Sequence, residues 1–322
     1  VPNNHRLSYR QILEPGKFIC YKLADQIRIR CRTDLHMYVA ALKYPWKLRK
    51  EREFSMSWAG QIDEWETLIA ATEYWAGDTI STNNFVSQAL ERQTSCFGLI
   101  IETETHCLAI ADQVRSYPIF YVTSGPNILL ETDISAPSFR QFTLEQNDQA
   151  TLEYLLCGYV LGNETLFDNI LTLRAGEFLL IDKASQTAVT HRYYRFLPFA
   201  DHSQNEKELI GHFGEVLDDV FKRIIYHAKG RPIWLPLSGG VDSRLILCKL
   251  IEHGYQDVTT FSYGLKHNHE MRRAKQVAKT LGVPWLCVPS ETGNLKQLYN
   301  SKERKGYTDY AYGGHAVPVW MD

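Results

Sequence analysis

Two serines, two glycines and an aspartate lie together in the segment SGGVDS, residues 238–243. The segment follows the short apolar run PIWLPL (232–237) and precedes apolar residues at helical spacing, which predicts a strand-to-helix turn. Unsatisfied backbone N–H groups and the helix dipole make such a turn an anion site. The glycines let an anion approach the main chain, and the serines add hydroxyl donors. The segment is therefore predicted to bind phosphate.

Asp242 is the unusual residue of this segment, because a carboxylate beside a phosphate is repelled unless a cation lies between them. Asp242 is therefore predicted to be a Mg²⁺ ligand, directly or through water. The segment is not a Walker A loop, since it is too short and lacks the GK[ST] ending. The alternative is a plain turn with Ser238 as the helix N-cap. Six matched positions in a strand–turn–helix context favour the phosphate site.

The elements around this segment alternate in the order that such a site requires. Strands are predicted at 232–237, 258–263 and 284–289, with helices at 241–253 and 268–281 between them. This order is typical of a parallel sheet with right-handed crossovers, in which ligands bind at the carboxyl ends of the strands. An amphipathic helix is predicted before them, at 206–228. Its predicted apolar face consists of Leu209, Phe213, Val216, Val220 and Ile224.

The N-terminal part has a different sequence pattern, in which short predicted strands are separated by turns. Hairpins are predicted at 18–32, 96–112 and 117–132, and strands at 177–182 and 188–196. A helix is predicted at 148–160 from the spacing of Leu152, Leu155, Leu156 and Tyr159. Strands with helices set apart indicate an α+β layered domain. The polar segment 197–205 suggests a boundary between two domains, 1–198 and 199–322.

Composition excludes several classes of protein. With a net charge of −2, 44% hydrophobic and 22% charged residues, the chain shows no basic balance for nucleic acid. It contains no apolar run of the roughly 20 residues that cross a bilayer and no signal peptide, so a cytoplasmic protein is expected. The seven cysteines are odd in number and lack CxxC spacing, which predicts a reduced protein without structural zinc. Cys96 and Cys107 are predicted to be buried hydrophobes and not nucleophiles.

Four quoted segments carry a resemblance to a known family. SGGVDS resembles the pyrophosphate-binding loop of N-type ATP pyrophosphatases, and TTFSYGLKHNHEMRRAKQVAKTLGVPW (259–285) narrows the resemblance to the asparagine synthetase family. LEYLLCGYVLGNETLFDNILTLRAGEFLLI (152–181) is similar to the segment that joins the family's two domains. AIADQVRSYPIFY (109–121) is similar to a strand and turn late in its glutaminase domain. The resemblance implies an N-terminal nucleophile glutaminase-like sandwich followed by an α/β domain resembling the adenine nucleotide α-hydrolases.

The resemblance also implies ATP and Mg²⁺ as cofactors and assigns roles to residues. The phosphate-binding positions are Ser238, Gly239, Gly240, Asp242 and Ser243, with Val241 in the same loop. Adenine and ribose lie against Leu237, Ser262, Tyr263 and Gly264. Glu270 matches an acidic position near the nucleotide and metal. The implied reaction is attack of a carboxylate on the α-phosphorus of ATP, loss of pyrophosphate, and amide formation with ammonia or another amine.

The chain departs from the family at both ends. It begins with Val1, where glutamine-using members have a catalytic cysteine, and WAGQIDE (58–64) has Ala59 where they have asparagine. An Arg-Gly-Pro-Asp motif is also lacking. Either the glutaminase domain is degenerate or the true N-terminus is missing; the failed internal motifs favour degeneracy. The sequence stops at Asp322, before the family's second glycine- and acid-rich loop, which predicts a missing segment or a partner chain.

Several functions are therefore open. The first is an ATP-dependent amide-forming ligase that uses a small carboxylate, aspartate by default, and an ammonia source. The second is amidation of a sugar carboxylate or peptide ring closure, and the third is a non-catalytic nucleotide-binding partner subunit. Arg244 either contacts a phosphate or the acceptor, or lies on the surface. A metal site at HNHE (267–270) is disfavoured, and Tyr310, Tyr312 and His315 are candidates for an acceptor pocket.

Overall fold

The computed structural model describes residues 38–39, 46–62, 67–69 and 79–304, with short gaps within the last range. The predicted hairpin at 18–32, the start of the chain at Val1, and the candidates Tyr310, Tyr312 and His315 lie outside the described residues. The chain divides into two compact units, Val1–Leu197 with Tyr307–Asp322, and Pro198–Gly306. The two predicted domain identities stay predictions.

The first unit contains two sheets. Its strands are β1 Tyr38–Val39, β2 Lys47–Lys50, β3 Phe54–Gly60, β4 Phe97–Thr103, β5 His106–Ala111, β6 Phe120–Ser124, β7 Asn127–Glu131, β8 Leu171–Thr172, β9 Glu177–Asp182 and β10 Thr187–Arg192. Six strands pair in the order β10-β9-β5-β4-β3-β2, and four in the order β1-β7-β6-β8. The antiparallel pairs β4–β5 and β6–β7 confirm the predicted hairpins at 96–112 and 117–132.

The two sheets of the first unit share an apolar layer. Ile100 and Leu179 of the six-stranded sheet belong to the same buried cluster as Leu130 of the four-stranded sheet. Alternate residues of β4 point to the opposite face, where Leu99 packs with Leu90 of helix α1 (Thr79–Glu91). Period-two alternation therefore builds a layered mixture of sheets and helices in this unit, as predicted.

Helix α2 (Asp148–Cys157) confirms the helix predicted at 148–160, and it ends at Gly158 in the left-handed conformation, with φ 80°. The apolar residues that predicted it do not form its buried side. Leu152, Leu155, Leu156 and Tyr159 are all exposed, and Ala150 and Thr151 are the buried residues of the helix.

One of the two cysteine predictions is wrong. Cys107 is fully buried within β5, but Cys96 is exposed. The reason is that β4 begins at Phe97, so Cys96 lies in the preceding connection and its side chain is outside the alternation of the strand. Its backbone carbonyl accepts a hydrogen bond from the Gln61 N–H.

Glu131, at the end of β7, is a fully buried carboxyl group in the first unit. The Ser138 hydroxyl donates a hydrogen bond to its Oε1, whereas Oε2 has no partner among the described residues. Burial raises the pKa of Glu131 to about 8, and the nearby Asp133 carboxylate acts in the same direction. Glu131 is therefore protonated in the folded chain at neutral pH.

The second unit is an α/β structure with a parallel sheet. Its elements are α3 Glu206–Ala228, β11 Ile233–Pro236, α4 Val241–Glu252, β12 Val258–Gly264, α5 His269–Leu281 and β13 Trp285–Pro289. The strands pair in the order β11-β12-β13, and both pairs are parallel. A buried cluster joins the strands to the helices at Leu235, Leu247, Phe221 and Ala274. The predicted parallel sheet is present, with each helix within about two residues of its predicted bounds.

Helix α3 packs with a different face from the one predicted. It begins with a capping box between Asn205 and Glu208, and its buried side is Phe221, with Leu217 and Ile225 packed beside it. Most of the predicted face is exposed instead: Leu209, Phe213, Val216 and Ile224 are 41–59% exposed, and Val220 is half-buried. The helix carries two adjacent apolar stripes, and spacing alone does not decide which of them is buried in the core of the unit.

Among the described helices, none combines the length and the apolar character that crossing a bilayer requires.

Candidate functional site

The SGGVDS segment connects β11 to α4. The Leu237 N–H donates to the Phe261 carbonyl at 2.7 Å and extends the pairing of β11 with β12. Gly240 is the N-cap of α4, with φ −74° and ψ 168°. The alternative in which Ser238 caps the helix is therefore wrong, because Ser238 lies two residues too early. Gly240 has no side chain, so no side-chain cap covers the first turn of α4 in the described structure.

The two serines of the segment hold its shape. Their hydroxyl oxygens are 3.0 Å apart, and the Ser238 N–H donates to Ser243 Oγ at 3.1 Å. The Gly240 N–H donates to Ser238 Oγ at 3.1 Å. The N–H groups of Val241 and Asp242 belong to the first helical turn, where the helix supplies no acceptor. The segment therefore presents backbone donors at a helix N-terminus, which is an arrangement suited to an anion.

Two charged side chains of α4 lie beside these donors. Asp242 is exposed in the first turn of the helix. Arg244 is also exposed, and its Nε donates to the Gly240 carbonyl at 2.9 Å, so it lies back along the loop. This position is compatible with either of the roles predicted for Arg244.

Helix α5 approaches the loop at Gly239. A Cβ atom at Gly239 would lie 3.3 Å from Arg273 Cδ and 3.6 Å from Glu270 Cα. The first turn of α5 thus lies against the loop and brings the exposed Glu270 close to it. The tight space around Gly239 is therefore partly a packing requirement within the unit. The sequence signal for this position of Arg273 is its spacing, three residues after Glu270 on the same helical face.

Ser262, within β12, links the residue that follows β11 to the first residue of β13. Its Oγ donates to the Leu237 carbonyl at 2.6 Å and accepts a hydrogen bond from Trp285 Nε1 at 3.0 Å. Leu237 is 2% exposed and packs in the core, and its N–H and carbonyl are both hydrogen-bonded to β12, so the predicted contact of its side chain with the nucleotide is not supported. Tyr263 is 67% exposed, and Gly264 has a φ of 129°, which favours glycine. Of the residues predicted to lie against adenine and ribose, Tyr263 alone has a largely exposed side chain.

Replacing Ser262 by alanine is expected to destabilise the second unit by about 1–3 kcal/mol, because the two bonded groups lose a buried partner. Pulse proteolysis in urea measures this change. Thr280→Ala, on an exposed position of α5, is the control and is expected to stay within about 0.5 kcal/mol of the parent chain. An effect of Ser262→Ala no larger than that of the control would contradict the prediction.

The site offers oxygen ligands to a metal. Among the described residues, no group of three or more His, Cys, Asp and Glu side chains could hold a metal ion by itself. Mg²⁺ is commonly bound by one or two carboxylates together with substrate phosphates. Asp242 and Glu270, exposed on the two elements that meet at Gly239, provide such carboxylates. In HNHE, His269 is the exposed first residue of α5, and His267 is not among the described residues.

Comparison with known proteins finds similarity to synthases in this part of the chain. Residues 214–298 match the family model described as asparagine synthase, and this range contains the SGGVDS loop and the strands β11, β12 and β13. The 7-cyano-7-deazaguanine synthase of Archaeoglobus fulgidus is 44% identical over 57 residues, which cover 17% of this chain and 24% of that protein. The chain thus spans about a quarter of the length of this curated relative.

Solved structures give weaker similarities. The glutamine phosphoribosylpyrophosphate amidotransferase from B. subtilis, complexed with ADP and GMP, is 10% identical with a TM-score of 0.23 over 77% of this chain and 51% of that chain. A structure of the allosteric regulatory enzyme of purine biosynthesis is 12% identical with a TM-score of 0.23 over 78% of this chain and 51% of that chain. Neither similarity indicates the fold or the function of this protein. The degenerate glutaminase domain stays a prediction.

Proposed function

We propose that this chain is an ATP-dependent amide-forming ligase that activates a carboxylate by adenylation. The observation that carries the proposal is the SGGVDS loop, which lies between a parallel strand and a helix N-terminus, inside the range that matches the asparagine synthase model. Backbone donors and two exposed carboxylates at one loop suit a magnesium–nucleotide complex.

The reaction balances as two displacements. A carboxylate oxygen of the acceptor forms a bond to the α-phosphorus of ATP, and the bond from that phosphorus to the bridging oxygen of the β-phosphate breaks. Ammonia then attacks the acyl carbon of the adenylate, AMP leaves, and the nitrogen loses one proton to give the amide. Aspartate is the acceptor that the family implies by default, and free ammonia is the nitrogen source that we propose.

The residues of the loop act on the leaving pyrophosphate. The N–H groups of the first turn of α4 bind its oxygens, where negative charge develops as the bond breaks. Asp242 and Glu270 are the residues that would hold the Mg²⁺ ion. When bound, Mg²⁺ neutralises phosphate charge and orients the leaving group. The protein's contribution is thus positioning and electrostatic stabilisation.

Pyrophosphate release with MgATP and ammonium tests this proposal directly. We expect release in the presence of one carboxylate among aspartate, a uronic-acid sugar and a peptide carboxylate, and the active acceptor defines the substrate class. Equilibrium binding of MgATP is measured in parallel. Binding without release for every acceptor would favour a non-catalytic nucleotide-binding partner subunit. Absence of MgATP binding would refute the proposal.

A further inference from the structure

Arg273 lies directly over the candidate phosphate loop. Its Cδ and Cβ are 3.3 Å and 3.5 Å from the place that a Gly239 Cβ would occupy. Cδ is bonded to Nε of the guanidinium group, so the positively charged group of Arg273 starts one bond beyond this contact. The residue is exposed, and the described part of the chain gives its guanidinium no hydrogen bond or ion pair. The stem of a cation that has no partner among the described residues thus lies against Gly239 of the loop.

The charge around the loop favours such a cation. Asp242 and Glu270 add two negative charges, and a pyrophosphate group adds more. Other cations nearby are placed differently: Arg244 Nε is bound to the Gly240 carbonyl, and Lys275 lies 5.8 Å over the Trp285 ring. Arg272 is about 100° around the helix from Arg273. Arg273 is therefore the α5 cation that faces the loop, and guanidinium groups bind phosphate oxygens through paired N–H donors.

We propose that Arg273 binds the β- and γ-phosphates of the nucleotide and retains the pyrophosphate as it leaves. This inference rests on the proposed function and adds a binding residue to it. It also gives Gly239 a second role, because a side chain at that position would push the stem of Arg273 away from the loop. The glycine thus keeps both the backbone and the cation within reach of the same phosphate oxygens.

The test measures binding of MgATP, and separately of magnesium pyrophosphate, to the full chain. Arg273→Met keeps an unbranched stem against Gly239 and removes the charge, so it separates packing from electrostatics. We expect its Kd for both ligands to rise about tenfold to a hundredfold, and Arg273→Lys to recover part of the loss. Arg272→Met is the matched control on the same helix, with an expected change of less than about twofold.

The outcomes separate this inference from the proposed function. If the parent chain binds both ligands and Arg273→Met binds them as tightly as Arg272→Met does, the role of Arg273 is refuted and the proposed function stands. If the parent chain binds neither ligand, both fail. A purely structural role predicts that Arg273→Met resembles the parent chain while Arg273→Ala loses affinity. Gly239→Ala provides a second line of support: it is expected to weaken binding, and to weaken it by a smaller factor when Arg273 is already alanine than in the parent chain.

Discussion

Pyrophosphate release is expected to fall by about a thousandfold or more when Asp242 is replaced by asparagine, because the substitution removes a ligand charge from the metal–phosphate site. Asparagine has nearly the same shape, so the loop keeps its geometry. Asp242 is exposed and makes no hydrogen bond or ion pair with the described residues, so folding does not depend on it. Only its interaction with the dipole of α4 is lost, at a cost of about 0.3–1 kcal/mol.

Steady-state release with MgATP, ammonium and the active acceptor measures this effect, and a thermal unfolding curve confirms that the variant is folded. Asp219→Asn is the matched control, since Asp219 is an exposed aspartate of α3 that pairs with Lys222. The control is expected to retain full activity. Activity of Asp242→Asn within tenfold of the parent chain would show that the carboxylate is not a metal ligand in this reaction.

The stability of the first unit is expected to fall as pH rises from 5 to 9, because of Glu131. The pKa of this buried carboxyl group is raised from an ordinary 4.5 to about 8. Between these two values the folded chain binds a proton that the unfolded chain has released, so unfolding becomes more favourable with increasing pH. The loss is about 3 kcal/mol at pH 7, relative to a pH below 4.5, and about 5 kcal/mol once pH exceeds the folded pKa.

Glu131→Gln removes this titration and keeps an oxygen to accept from Ser138. We expect the difference in unfolding free energy between the variant and the parent chain to shift by about 4 kcal/mol in favour of the variant between pH 5 and pH 9. Hydrogen exchange of the β6 and β7 amides measures this free energy within the first unit of the chain. Glu104→Gln, in the exposed turn between β4 and β5, is the control. Parallel pH profiles for the parent chain and Glu131→Gln would contradict the assignment.

The sequence was sufficient for features that depend on neighbours along the chain. The strand–turn–helix around Gly240 follows from an apolar run, two glycines and helical spacing, and the hairpin β4–β5 follows from two apolar runs joined by a turn. These patterns reflect local backbone preferences, and in these two segments long-range packing did not override them.

Features that depend on which surfaces meet were not predictable in the same way. Helix α3 has two adjacent apolar stripes, and packing in the core of the second unit selected the one that contains Phe221. Cys96 is exposed because strand β4 begins one residue later than its apolar pattern suggests. The approach of Arg273 to Gly239 joins residues 34 positions apart in the numbering, on two different elements. Periodicity within a segment contains no information about such contacts.

The hydrogen bonds between Ser238, Gly240 and Ser243 have an entropic consequence for affinity. Fixing the backbone of one residue costs about 1–2 kcal/mol, and a loop that becomes ordered only on binding subtracts this cost from the affinity for its ligand. In this loop the serine hydroxyls fix the backbone through contacts within the protein, so the ordering is completed during folding. Loss of these hydroxyls is therefore expected to weaken phosphate binding even though the backbone donors themselves remain unchanged.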